Sequence, residues 1–127
     1  MTLRKAMLAT MAAVGLFGAG ILVGQNKFNK PKSIVHVVTI QWKEGATPEQ
    51  KQKALAAVDT MAGKVPGITN AWTKGIKVQG EGFSDAFVLE FKDKAAFDAY
   101  ADNPAHKEFE EVYLPVRGRS ATHDITN

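Results

Sequence analysis

The chain has 127 residues, no cysteine and a formal net charge of +3. That length fits one domain of roughly 95 residues plus an appendage, and the missing thiols exclude disulfides, thiolate metal sites, a thiol nucleophile and a cysteine-linked lipid anchor. The charge is unevenly divided: residues 1–32 hold Arg4, Lys5, Lys27, Lys30 and Lys32 and no carboxylate, while residues 33–127 hold 11 basic and 13 acidic side chains, so the domain lacks the basic footprint of a nucleic-acid binder.

Behind Arg4 and Lys5, residues 6–24 carry no charge. A helix of that length reaches roughly 28 Å, close to the ~30 Å hydrocarbon core of a bilayer, which predicts a membrane anchor. A basic start followed by an apolar run is also how a secretory signal reads, so secretion after signal cleavage is the alternative. Gly18-Ala19-Gly20 supplies small residues for such a cut but leaves Ile21-Leu22-Val23 at the new terminus, which favours the anchor. The positive-inside rule keeps Arg4 and Lys5 in the cytoplasm and sends the domain to the extracytoplasmic side. Gly20 and Gly24 match the small-xxx-small pattern of paired membrane helices. Residues 25–32 are a short polar linker, so the chain divides into an anchor or signal segment, 1–32, and a domain, 33–127.

Residues 33–43 alternate and are rich in β-branched side chains, the pattern of a strand ended by Gly45. Thr47-Pro48-Glu49-Gln50 is a capping box with proline at the first helical position, and it opens a helix to about residue 63. Ala54, Leu55, Val58, Met61 and Ala62 form its buried stripe. Val65-Pro66-Gly67 turns the chain into a strand over about 68–78. Gly80-Glu81-Gly82 then makes a tight hairpin turn into a third strand, 85–92. Asp93 caps a short helix to about 102, a second helical piece covers 104–113, and Pro115 and Gly118 break the chain before a last strand, about 120–126. The order β-α-β-β-α-β predicts an α+β, ferredoxin-like antiparallel sheet with its helices on one face.

Alternation divides the sheet's faces. His36, Val38, Ile40 and Trp42 share a side with Asp85, Phe87, Leu89 and Phe91, and these larger groups should meet the helices. Val35, Val37, Ala86 and Val88 are left on a face with no helix to cover it, for which a second copy of the chain is the simplest partner.

The stretch Asp98-Ala99-Tyr100-Ala101-Asp102-Asn103-Pro104-Ala105-His106 is the most specific in the chain. Asn103 caps a helix whose first position is Pro104, which puts His106 in the first turn, where unpaired N–H groups and the helix dipole disfavour a positive charge. A neutral imidazole near a phenol is an acid/base pair. With Lys107-Glu108-Phe109 after it, the opening strand Ile34-Val35-His36-Val37-Val38 and the Phe87-Val88-Leu89-Glu90-Phe91 strand, this stretch resembles the Tyr…Pro-Ala-His signature of the stress-responsive dimeric α/β-barrel (Dabb) family over residues 33–126. The resemblance implies two sheets paired into a dimeric α/β barrel. In the family's plant olivetolic acid cyclase branch it implies catalytic proton transfer by the residues matching Tyr100 and His106, with His36 lining the pocket. The chain departs from that branch at Asp85, which stands where the cyclase has another histidine, and at Asn103, which replaces a histidine.

If His36 and Asp85 face the helices, four titratable groups, His36, Asp85, Tyr100 and His106, converge on an apolar layer that includes Phe87 and Phe109, the form of a small-molecule site. The same residues also satisfy a packing account, with Asp85 as a turn residue. Adjacent His123 and Asp124 point to opposite faces of a strand and cannot act together. Glu108, Glu110 and Glu111 read as a solvated helix face. No phosphate loop, nucleophile elbow or spaced metal triad is present, and no cofactor is called for. The sequence therefore supports a membrane-tethered homodimer that binds a small hydrophobic molecule. A cofactor-free lyase, cyclase or isomerase using Tyr100 and His106 is the alternative, and a structural dimer without ligand a third.

Overall fold

The computed structural model describes residues 28–127. The predicted anchor at residues 6–24 lies outside them, and no helix among the described residues is long and apolar enough to cross a membrane. In chain order the elements are β1 (Ile34–Trp42), α1 (Pro48–Lys64), β2 (Ile68–Trp72), β3 (Asp85–Phe91), α2 (Lys94–Tyr100), α3 (Pro104–Tyr113) and β4 (Arg117–Ile125). The sheet order is β2-β3-β1-β4 and every neighbouring pair is antiparallel. This is the ferredoxin-like α+β fold, with its second helix in two pieces.

Local chemistry sets the helix starts. The Thr47 hydroxyl accepts from the Gln50 backbone N–H at 3.2 Å, and Gln50 Oε1 accepts from the Thr47 N–H at 2.9 Å, so two otherwise unpaired donors of α1 are satisfied reciprocally. Asp93 Oδ1 accepts from the Ala96 N–H at 2.9 Å to begin α2. Ala54, Val58 and Met61 bury one stripe of α1, and Ala105, Phe109 and Tyr113 one stripe of α3. The sheet meets them with Val38, Ile40, Trp42, Phe87, Leu89 and Phe91, all buried. Val35, Val37, Ala86 and Val88 alternate onto the opposite side and stay half-buried.

The structure corrects two boundaries. β2 stops at Trp72 instead of running to residue 78. Residues 73–84 leave the sheet, with Ile76 fully exposed, and Gly80 and Gly82 at φ +114° and +81° bring the chain back. β2 and β3 do pair, but through a long loop and not a three-residue turn.

β4 begins at Arg117, with Gly118 inside the strand instead of before it. Gln41 pairs with Arg119 and Trp42 with Arg117, so Gly118 is the extra residue of a β-bulge. Only glycine fits there: a Cβ would lie 2.9 Å from the Gln41 carbonyl oxygen and 3.0 Å from that of Trp42.

Candidate functional site

Three helices do not cover four strands. α1 packs on α3, β2 and β3, and α2 on β3, which leaves the helix side of the β1–β4 edge partly open. There a cleft of about 240 Å³ forms between α3 and the sheet. His36 and Val38 reach it from β1, Phe87 from β3 and Tyr100 from the end of α2. His106, Phe109, Glu110 and Tyr113 come from α3, Leu114 from the residue that caps its end, and Arg117, Ser120 and Thr122 from β4.

The cap places His106. Asn103 Oδ1 accepts from the Ala105 N–H at 2.9 Å, and the His106 N–H donates to the Asn103 carbonyl at 3.0 Å, which closes the first turn of α3 behind Pro104. The break between α2 and α3 brings the Tyr100 and His106 rings to 4.5 Å, edge to face. His36 approaches Tyr100 from the sheet at 5.7 Å. Tyr100 is 7 % exposed, and burial, reinforced by Glu110, Tyr113 and Asp124, pushes its phenol well above the usual tyrosine value. It stays protonated and can serve only as a donor or a neutral acceptor.

Each histidine has its own carboxylate. His36 Nδ1 donates to Asp124 Oδ1 at 2.6 Å, an arrangement that leaves Nε2 with the lone pair in the neutral ring. His106 Nδ1 lies 2.7 Å from Glu110 Oε1, one helical turn on. That is ion-pair distance, but the approach is not aligned as a hydrogen bond, and Nδ1 is buried with no other partner.

His36, Tyr100, His106, Phe87 and Phe109 therefore come together. Asp85 does not join them. Its Oδ2 accepts from Trp42 Nε1 at 2.6 Å and from Ser84 Oγ at 2.8 Å, at the far end of β3. The reason is register: Asp85 pairs with Ile40, four residues along β1 from His36. Asp124 and Glu110 enter the site unexpected. Asp124 pairs with His36 across β1 and β4, while His123 pairs with Val37 and takes the opposite face. Glu110 follows His106 at i+4, a spacing visible in the sequence. Among the described residues no group of three His, Cys, Asp or Glu side chains could hold a metal ion.

A larger groove, about 330 Å³, runs between α1 and α3 and is lined by Ala56, Ala57, Thr60 and Val112 with lysines at its rim. It holds one ion pair, Lys64 with Glu108 at 2.8 Å, and no histidine or tyrosine lines it. The smaller cleft is the one that gathers the histidine and tyrosine side chains.

Residues 34–127 match the sequence model of the stress responsive A/B barrel domain. A curated relative, the stress-response A/B barrel domain-containing protein HS1 of Arabidopsis thaliana, is 25 % identical over 84 residues, 64 % of this chain and 77 % of that protein. A dimeric ferredoxin-like protein of unknown function from Thermobifida fusca superposes with a TM-score of 0.66 at 18 % identity, covering 80 % of this chain and 97 % of that one. The hydroxynitrile lyase of Passiflora edulis superposes with a TM-score of 0.67 at 17 % identity, covering 75 % and 93 %. At such identities the likeness establishes the fold.

Proposed function

The chain belongs to the stress-responsive A/B barrel domain family, and from that premise we propose that the cleft around Tyr100 and His106 binds a small, largely apolar molecule and moves a proton on it, the chemistry of a lyase or isomerase. The supporting observation is the pair of histidine–carboxylate contacts, His36–Asp124 and His106–Glu110, set on either side of one buried phenol. A histidine backed by a carboxylate is a general base whose imidazolium is stabilised, and a protonated tyrosine beside it can stabilise developing negative charge on a carbonyl oxygen. Phe87, Phe109 and Val38 suit the apolar body of such a molecule. The Passiflora relative of this fold is itself named as a lyase, in keeping with that chemistry.

The helix-free face of the sheet fits a second copy of the chain. Val35, Val37 and Val88 are flanked there by Trp72 and Ile125, 51 % and 57 % exposed, through the pairs Trp72–Val88 and Val35–Ile125. The Thermobifida relative is described as dimeric. Residues 6–24 hold this dimer at the membrane on its extracytoplasmic side, an assignment that rests on the uncharged run behind Arg4 and Lys5.

NMR titration of the full chain with phenylacetone, a small apolar ketone, tests the site. The imidazole resonances of His36 and His106 shift while those of His123 on the opposite face do not; shifts at His123 alone, or at none of the three, would overturn the reading.

A further inference from the structure

Three buried polar side-chain atoms among the described residues lack a well-aligned hydrogen-bond partner: His106 Nδ1, Tyr113 Oη and Arg117 Nε. All three belong to residues that line the same cleft. His106 has Glu110 beside it, and the Tyr113 hydroxyl has the Ser120 side chain. Arg117 Nε has no such neighbour, and the guanidinium carbon lies 5.8 Å from the Tyr113 ring centre. Unpaired buried donors are costly, and native proteins seldom keep them without a partner that completes them.

Arg117 is there because of the bulge. Ile125, His123, Ala121 and Arg119 pair with Val35, Val37, Thr39 and Gln41 on the helix-free face, and strict alternation would carry Arg117 to that face as well. The extra residue Gly118 reverses the phase, so Arg117 pairs with Trp42 and lines the cleft on the helix side. A backbone irregularity that only glycine tolerates thus aims one cation into the site.

We propose that Arg117 and Tyr113 form a seat for a ligand carboxylate, so that the molecule taken by the cleft is a small monoacid with an apolar body. The inference deepens the proton-transfer reading and rests on it. Tyr113 lies seven residues beyond His106 on α3, about 10 Å along the helix, which separates the seat from the acid/base groups by roughly the length of a short apolar spacer. Arg117 is the only lysine or arginine among the lining residues, and Glu110 is the only carboxylate among them. A dianion such as a phosphate monoester meets that carboxylate with one counter-charge for its two negative charges. A carboxylate needs only one, and its two oxygens match the planar fork of the guanidinium.

The test compares phenylacetate with phenylacetamide, which share shape and differ in charge, by titration of the full chain followed at the His36 and His106 resonances. Wild type binds the acid at least about tenfold more tightly, the scale of one hydrogen bond to a charged group. Arg117→Gln removes that preference while leaving the amide affinity in place, and Arg119→Gln, on the other face, leaves the preference intact. Tyr113→Phe, which keeps the ring, reduces the preference and supplies the answer should Arg117→Gln fail to fold. Equal affinity for acid and amide in wild type, with both shifting His36 and His106, overturns the carboxylate seat and leaves the proton-transfer cleft standing. No shift from either probe overturns both.

Discussion

Glu90 shows how a single side chain ties two strands to the segment that leads into β1. Its carboxylate accepts from Asn70 Nδ2 at 2.6 Å, from Ser33 Oγ at 2.8 Å and from Thr69 Oγ1 at 3.3 Å. The bonds from Asn70 and Ser33, with a smaller one from Thr69, hold its carboxyl below the usual glutamate value against the opposing effect of partial burial. A lowered folded-state value means the native state releases its proton more readily than the unfolded chain. The stabilisation is therefore complete above the unfolded value and is lost as pH falls through the lower folded one. Urea midpoints of wild type and Glu90→Gln, measured from pH 7 down to pH 3, should differ most at neutrality and converge in acid; a gap that is constant across the range would show that the bonds do not depend on the charge. The residue scale is also where the sequence was most misleading. Asp85 had the right face but the wrong end of the strand, because alternation fixes the side a residue takes and says nothing of its partner. Asp124 had a readable face but no visible partner until β4 was paired with β1.

Elements were legible where a local signal closes on itself. The capping box of α1, the Asp93 cap and the Asn103-Pro104 start of α3 all place helix starts where the side-chain chemistry puts them. β2 and β4 were not, since their limits are not written locally: β2 stops at Trp72 opposite Val88 although β3 reaches back to Asp85, and β4 passes through Gly118, where the Gln41 and Trp42 carbonyls leave room for no side chain. Gly118→Ala should cost about 1–3 kcal/mol, the usual scale of overpacking, seen as a lower urea midpoint at unchanged slope. The same change should weaken the acid-over-amide preference if the bulge is what aims Arg117. An unaltered midpoint would mean the strand absorbs the methyl group, and the bulge would then not demand glycine. At the start of α1, Thr47→Ala should cost about 1 kcal/mol through loss of the cap; no change in thermal midpoint would show that the box is dispensable.

At the scale of the molecule, a one-sided sheet leaves a face to be covered and a strip left open. The covered face is assigned to a second copy. Val37→Lys or Val88→Lys would put an unpaired charge into that contact at a cost of several kcal/mol, so sedimentation of the full chain should show a dimer that either change converts to monomer. A wild-type monomer at tens of micromolar would contradict the pairing. The open strip is the cleft, and the account rests on its chemistry. The most direct measurement is the rate at which the full chain exchanges the α-protons of phenylacetone for deuterium in D₂O, followed by loss of proton signal. Wild type should exceed buffer clearly, and His106→Gln and Tyr100→Phe, both folded by circular dichroism, should each lose about 10²-fold or more, the range of a positioned acid or base. Exchange no faster than in buffer, or equal rates in all three proteins, would contradict proton transfer at Tyr100 and His106.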